Sequence, residues 1–265
     1  MKTAIGLGLL AAVVASAAHA QAQEQEQQTD RTIRIRPGIG AQVRPEYPGA
    51  DKKEVAPYLK FSIARGDNPF GFGAPDDAFG IGLLSIGPLR AGPAVNIQSG
   101  RKDSEVGKPL GEVKRTIEAG GFAEVLILDQ FRLRADLRKG INGHEGMVGS
   151  LGADQIWRNG DRYVFSIGPR LLYSDSRYQR AFFGVTPEAA AASDLPIYRP
   201  GGGFHAVAAA AGMHYALGRP LGLFGYARYE RLIGDAAKSP VVEELGSRNQ
   251  MSAGLGLSYT MTVRK

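Results

Sequence analysis

The chain has 265 residues, is 43% hydrophobic and carries a formal net charge of +6. It has no cysteine, which excludes disulfides and thiolate chemistry, and its basic residues are dispersed among acidic ones, which argues against nucleic-acid binding. No run of about 18 apolar residues follows the N-terminal segment, which excludes an ordinary transmembrane helix. The 36 glycines also argue against a mainly helical protein.

The first 20 residues have the pattern of a secretory signal peptide. Lys2 provides the charged start, an apolar run extends to Val14, and Ala18 and Ala20 form an A-x-A cleavage site. We therefore expect export and removal of residues 1–20. Residues 21–31, QAQEQEQQTDR, are polar throughout and predict a disordered periplasmic tail.

From residue 32 onwards, apolar and polar residues alternate in one segment after another, which is the period of a β-strand. The segments run to about 10 to 14 residues, longer than the soluble strand of about 5 to 6 and long enough for a tilted strand to cross a bilayer. Clear examples are residues 33–43, 55–63, 89–97, 131–137, 163–173 and 251–259.

Short and long connections alternate between these segments, as do periplasmic turns and extracellular loops in outer-membrane barrels. Eleven strands are evident, and PFGF (residues 69–72), counted as a short strand before the turn APDD, gives twelve with both ends periplasmic. The predicted fold is all-β: a transmembrane antiparallel β-barrel of the outer membrane with about 12 strands, over residues 32–262. A short basic C-terminal extension, residues 263–265, follows. The short connections are 65–69, 86–88, 128–130, 158–161 and 217–220; the long ones are 44–54, 102–116, 142–146, 174–201 and 234–247.

The stretch FRLRADLRK, residues 131–139, indicates what each face carries. Phe131, Leu133 and Leu137 share one parity, so we expect them to face lipid. The opposite parity is charged, and buried charges persist only when they are paired, so an arginine–carboxylate network is predicted in the lumen. The residues with the parity to join it are Arg90, Glu118, Glu124, Arg132, Arg134, Asp136, Arg138, Asp154, Arg170, Arg228 and Glu230.

Two interpretations of this network are open. In the first, the charges join the strands and plug the barrel. In the second, they line a polar conduit for small solutes, and the arginines favour anions.

Other chemistry is sparse. His144, Glu145 and Ser150 are close in sequence and of the types found in hydrolase sites, but nothing fixes their mutual geometry. His205 and His214 are nine residues apart on one predicted strand and should face opposite sides, which argues against a shared metal site. We predict no catalytic residue, no cofactor and no metal.

Four motifs carry a family resemblance: RPEYPGADKKEVAPYL (44–59), and residues 133–154, 182–198 and 232–259. They resemble the MipA/OmpV family of outer-membrane proteins. The resemblance implies a monomeric barrel in contact with outer-membrane lipid and lipopolysaccharide, without a catalytic motif. It also implies one of two roles: a scaffold that links a lytic murein transglycosylase to a bifunctional murein synthase, or a surface antigen and adhesin with links to osmotic response and drug permeability.

We therefore expect a non-catalytic scaffold for murein enzymes, with a small-solute channel or a surface adhesin as alternatives. The scaffold would use the tail, the periplasmic turns and the basic C-terminus. The adhesin would use loop 174–201, whose aromatic residues Tyr178, Phe182, Phe183 and Tyr198 either contact a partner or fold onto the barrel mouth. Residues 186–195 of this loop are compatible with one helix. Tyr259 is the candidate for the terminal aromatic residue of the barrel.

Overall fold

The computed structural model describes residues 32–218 and 220–264; the predicted signal peptide and tail lie outside the described residues. The described chain forms one sheet of thirteen antiparallel strands, and the prediction of an all-β barrel is confirmed. The strands are β1 (Thr32–Pro45), β2 (Lys53–Arg65), β3 (Phe79–Gly80), β4 (Leu84–Ile86), β5 (Leu89–Gln98), β6 (Thr116–Ile127), β7 (Phe131–Gly140), β8 (Met147–Asn159), β9 (Tyr163–Ser174), β10 (Gly203–Ala216), β11 (Leu221–Leu232), β12 (Asn249–Tyr259) and β13 (Met261–Arg264).

The alternation in the sequence becomes two different faces of the sheet. Along β7, Phe131, Leu133 and Leu137 are exposed on the outside, while the charged residues between them are shielded inside. The other long strands also carry large apolar side chains outward, as a surface in contact with lipid requires. In the described part of the chain, no helix is long and apolar enough to span a membrane.

β1 brings the first and the last strands of the described chain together in the sheet. It pairs with β2 on one side and with β12 on the other, and its first residues pair with β13. The predicted extension after residue 262 is corrected here, because Val263 lies opposite Ile33 within the sheet. The alternation resumes after Thr260, so β12 and β13 occupy one position in the wall and Tyr259 does not end it.

Strand directions show that one pass of the chain lies inside the barrel. Neighbours are antiparallel from β5 through to β12, and again from β12 through β1 to β2. β2 and the β3–β4 pair therefore run in the same direction, and residues 67–78 between them must return along the barrel. We call residues 67–78 the inner segment; its Phe70 is only 2% exposed.

The inner segment corrects one predicted strand. Residues 69–72 do form the twelfth pass, and both described ends of the barrel lie on the same side. They form no ladder, however, and run through the interior instead of the wall. Every second residue here is a proline or a glycine (Pro69, Gly71, Gly73 and Pro75). This composition weakens a strand, because proline lacks a hydrogen-bond donor and glycine lacks a side chain that packs.

The long connections form a lid over one end of the barrel, and the short turns lie at the other end. We define the lid as residues 46–52, 99–115, 175–202 and 233–248. Its helices are α1 (Asp103–Val106), α2 (Ser176–Phe183), α3 (Pro187–Ser193), α4 (Gly234–Ala237) and α5 (Pro240–Leu245). The side chain of Asp175 caps α2, and that of Thr186 caps α3 ahead of a proline in its first turn.

Two apolar clusters hold the lid together. One packs Phe182 and Phe183 of α2 against α4 and the ends of the strands, and the other packs Tyr47 against α3 and α5. Arg101 ties the lid segments together, because its guanidinium donates to the carbonyl oxygens of Phe182 at 2.7 Å and Gly111 at 3.0 Å. Burial lowers the pKa of Arg101 from its ordinary value.

Replacing Phe182 with alanine should open the lid. Phe182 is fully buried, and such a deletion costs about 3–5 kcal/mol, here concentrated in the lid. We expect external protease to cut residues 175–202 at least about tenfold faster in refolded barrels. Ile197→Ala, at a position 63% exposed in the same loop, is the matched control and should leave cleavage unchanged. Equal cleavage of the two variants would contradict the packing described.

Candidate functional site: an occupied lumen

The inner segment is fixed at the end of the barrel that carries the short turns. The backbone N–H of Phe70 donates to Asp161 Oδ1 at 2.9 Å, and Arg158 donates to the Phe70 carbonyl oxygen at 3.0 Å. Arg34 forms a salt bridge of 2.7 Å with Asp161. The guanidinium of Arg36 lies 4.0 Å from the centre of the Phe70 ring, a cation–π contact. The inner segment is therefore bound to strands on opposite walls.

The tip of the inner segment is an acidic pair held by two arginines. Asp77 binds Arg132 through two contacts, of 2.6 and 3.1 Å, and Asp76 binds Arg170 through two, of 3.0 and 3.1 Å. Asp154 lies between the arginines, at 2.7 Å from Arg132 and 2.6 Å from Arg170. The wall residues come from β7, β8 and β9 in turn, so three neighbouring strands present one row of alternating charge.

Asp76 and Asp77 are absent from the predicted lumen set, because the sequence predicts a turn at APDD. One signal was available: the predicted lumen set held more arginines than carboxylates, and a buried network needs partners for each charge. The structure supplies the missing carboxylates from the inner segment.

Four more of the predicted charges contact this row or its acidic tip: Arg90, Glu124, Arg134 and Arg228. Glu124 accepts from Arg90 at 3.2 Å, Arg132 at 3.3 Å and Arg134 at 3.1 Å. Arg134 also lies over the ring of Phe122, at 3.9 Å from its centre. On the opposite wall, Arg228 lies 3.5 Å from Asp76 and forms an ion pair with Glu230.

A second group lies beneath the lid. Glu118 accepts from Arg138 and His144 at 3.1 Å each and from Asn96 at 2.9 Å, and Arg138 also pairs with Asp136. The N–H of Gly146 donates to His144 Nδ1, so the imidazole proton lies on Nε2 and is donated to Glu118.

The structure does not bring His144, Glu145 and Ser150 together as a nucleophile with its base. Ser150 donates to Asp136, whereas the imidazole of His144 contacts Glu118 and a backbone N–H. Glu145 is exposed. The hydrolase alternative therefore has no support in these residues.

The prediction that His205 and His214 face opposite sides is wrong. A bulge at His205 shifts the register of β10 against β9 by one residue, and this inverts the parity beyond it. Both imidazoles therefore lie inside, His205 against Ser174 at 3.0 Å and His214 against Ser258 at 3.1 Å. About 30 Å of strand separates them, so they share no site. Among the described residues, no group of three or more His, Asp or Glu side chains is placed to hold a metal ion.

The aromatic residues of loop 174–201 are not available to a partner. Tyr178 is 5% exposed, and Phe182 and Phe183 are fully buried. Tyr198 is half-buried, and its hydroxyl donates to the carbonyl oxygen of Asp235 at 2.9 Å. Burial raises the pKa of the Tyr178 phenol well above its ordinary value. Of the two alternatives for these residues, the structure has the one that covers the barrel mouth.

Among the described residues, one larger cavity lies on either side of the acidic tip. The lower cavity, of about 350 Å³, lies towards the short turns and is lined by Arg36, Lys60 and His214. The upper cavity, of about 370 Å³, lies under the lid and is lined by Arg138 and Tyr178. Pro75 and Asp77 line both cavities, so the tip of the inner segment lies between them.

A comparison with protein families identifies the family to which this barrel belongs. The family described as MltA-interacting protein MipA matches residues 38–261. The chain belongs to the MipA family. It is accordingly an integral β-barrel protein of the outer membrane.

Solved structures similar to this MipA-family barrel come from outer-membrane proteins with low sequence identity. An outer-membrane channel from Pseudomonas putida F1 is 10% identical, with 88% of this chain and 95% of that chain covered and a TM-score of 0.40. The translocator domain of the autotransporter NalP from Neisseria meningitidis is 15% identical, with 92% and 97% covered and a TM-score of 0.35. The channel DcaP of Acinetobacter baumannii is 11% identical, with a TM-score of 0.35; 77% of this chain matches, and it spans about half of DcaP, 51%. A comparison with curated proteins found no match.

Breaking the row of charge at Arg132 should destabilise the barrel strongly. Arg132→Gln leaves Asp77 and Asp154 without their shared cation inside the lumen, and loss of one partner of a buried pair costs about 3–5 kcal/mol. The measurement is the free energy of unfolding in urea, in phospholipid vesicles.

The matched control is Arg248→Gln in the lid, whose partner Glu243 is about half exposed, like Arg248 itself. A solvated pair of this kind contributes about 0–1 kcal/mol. If the two variants lose the same stability, the lumen network is not the stabilising element described.

Proposed function

We propose that this protein is a non-catalytic scaffold of the outer membrane that binds a lytic murein transglycosylase at its periplasmic face. The family description, MltA-interacting protein, supports a partner of this class. The wider proposal is that the bound hydrolase is thereby held close to a bifunctional murein synthase. The barrel then serves as the anchor that positions these enzymes against the cell wall.

The observation that carries this proposal is the occupied lumen. Asp76 and Asp77 are each bound by two contacts from an arginine, and the lid packs over the mouth with its large aromatic residues buried. A barrel whose lumen is filled along its axis is better suited to anchor a rigid docking surface for a partner than to pass solutes.

The partner would contact the end with the short turns, which is periplasmic in barrels of this type. The turn between β6 and β7 carries Leu128, 86% exposed, beside the exposed Asp129. The turn between β8 and β9 carries the exposed Arg162, and β2 ends at the exposed Arg65 near Asp67. One apolar side chain among charges of both signs offers a small anchor and a polar rim.

Reversing the charges of two periplasmic turns should weaken the complex. For the double variant Asp129→Lys, Arg162→Glu, we expect the dissociation constant for a purified lytic murein transglycosylase to rise at least about tenfold, because like charges then face each other across the interface. Immobilised refolded barrel and surface plasmon resonance give this value.

The control is the double variant Arg177→Glu, Glu244→Lys, which reverses two exposed charges on the lid. It should bind as the unmodified barrel does. Equal loss in both double variants, or in neither, would refute a periplasmic docking face.

A gated conduit for small solutes is the second candidate, and one observation favours it. The upper and lower cavities are separated by the tip of the inner segment, so release of that tip would join them. Arginines would then line the joined path and would favour anions.

Single-channel recording separates the two candidates. We expect the unmodified barrel to be silent in planar bilayers and the double variant Asp76→Asn, Asp77→Asn to show conductance steps, because the tip loses the charges that hold it. Asp67→Asn, at an exposed turn position of the same segment, should stay silent. Steady conductance from the unmodified barrel would favour the conduit over the scaffold.

A further inference from the structure

The wall has one seam without backbone pairing. β2 pairs with β1 over its whole length, and β3 and β4 pair with β5. Within the part of the chain that the structure describes, no backbone hydrogen bond joins β2 to β3 or β4. In a bilayer, unpaired backbone is tolerated only where it is buried in protein or lines a cavity that water or a polar group can enter.

The lower cavity reaches this seam. It is lined by Leu59, Phe61 and Ile63, which face lipid, and also by Lys60 and Ser62, which lie between them on β2 and face the interior. Alternate residues of a strand point to opposite faces. A cavity that contacts these five consecutive residues of β2 runs along that strand. Because this edge of β2 has no backbone partner among the described residues, we infer that the cavity opens there towards the lipid side of the wall.

The two sides of the seam are apolar. On the β2 side, Leu59 is 70% exposed, and on the other side Phe79 is 63% exposed and also lines the cavity. Ile81 and Leu83 continue the same exposed apolar face beyond Phe79. A hydrocarbon chain can therefore lie in the seam without loss of apolar contact.

The interior end of the same cavity is basic. Among the described residues, no carboxylate lies within the 4.0 Å salt-bridge distance of Arg36 or Lys60. Of the described residues, the guanidinium of Arg36 contacts the Phe70 ring and His214 Nδ1, the latter at 3.4 Å. The carboxylates of Asp77 and Glu124 also line the cavity, and both are already held by arginines: Asp77 by Arg132, and Glu124 by Arg134. Two cations without a salt bridge thus lie behind an apolar entrance, an arrangement complementary to an anionic head group on an alkyl chain.

We propose that the seam between β2 and β3–β4 is a lateral opening through which a single-chain anionic amphiphile dissolved in the outer membrane enters the lower cavity. Its head group lies against Lys60 and Arg36, and its chain extends between Phe61 and Phe79 into the bilayer. The cavity of about 350 Å³ is of the size that binds small ligands. This opening is independent of any periplasmic partner and of axial conduction, because it leaves the acidic tip in place.

The opening can be tested with a fluorescent reporter beside the seam. The chain has one tryptophan, Trp157, which is 51% exposed on the lipid face. In a Trp157→Phe background we would introduce Gly71→Trp, since a Cβ added at Gly71 has a single described neighbour within 4 Å, Arg90 Nη1 at 4.0 Å. Gln42→Trp is the interior control, because β1 is paired on both sides along its length.

Vesicles of phospholipid with brominated acyl chains quench tryptophan on contact. We expect Gly71→Trp to be quenched nearly as strongly as native Trp157, and Gln42→Trp to be quenched little. Gly71→Trp no more quenched than Gln42→Trp would overturn the lateral opening. If Gly71→Trp does not fold, Gly73→Trp replaces it, since its nearest neighbour is Asp77 Oδ2 at 3.9 Å.

The head-group assignment has its own test. Brominated dodecanoic acid and the matching neutral alcohol would be titrated into non-brominated vesicles that hold the Gly71→Trp barrel. We expect Lys60→Gln to raise the half-quenching concentration of the acid at least about tenfold and to leave that of the alcohol unchanged, while Lys60→Arg keeps the affinity. An acid that quenches equally in Lys60→Gln and in the unmodified lysine barrel would overturn the anionic ligand.

Discussion

The arrangement of the barrel depends on the two-contact ion pairs of Asp76 with Arg170 and of Asp77 with Arg132. An arginine inside a narrow lumen has lost much of its water, and the cost of that loss is recovered only by carboxylates in good geometry. The wall supplies Asp154 between the arginines and Glu124 beside Arg132. Glu124 is shared with Arg90 and Arg134, so these two carboxylates do not neutralise all the arginines around them. The inner segment supplies the rest, and in doing so it becomes part of the interior.

The two cavities and the seam follow from the position of the inner segment. Once the tip of the inner segment is held at mid-height, the lumen is divided into an upper and a lower cavity. The third pass of the chain is then missing from the wall, which leaves β2 without a partner on one side. The lid closes the upper cavity with Tyr47 and Tyr178, and both residues also belong to the apolar clusters of the lid. The apolar interior of the lid therefore lies directly above the polar lumen.

The local sequence pattern was sufficient to predict the strands of the wall, but it could not predict the bulge in β10 or the path of the inner segment. The faces of β7 could be predicted because alternation between Phe131 and Arg138 is strict and each strand reports its own orientation. The bulge at His205 could not be predicted, because it depends on pairing with Tyr173 and Leu172 on the neighbouring strand. The path of residues 67–78 could not be predicted either, because their glycines and prolines are compatible with a turn, a short strand or an irregular segment. Only the direction of the strands around the whole sheet decides among these three. The aromatic residues of the lid were found, but their burial depends on contacts from distant loops, such as that of Arg101.

The direction of the strands gives the seam a further meaning. β2 and β3 run in the same direction, so the position between them fits a strand of opposite direction. The inner segment has that direction, and in chain order it is the strand that belongs there. The acidic tip thus competes with the wall for the same twelve residues: while Arg132 and Arg170 hold it, the barrel is filled and its wall is one strand short. The number of strands in the wall therefore reflects both the proline- and glycine-rich composition of the inner segment and the ion pairs that hold its tip in the lumen.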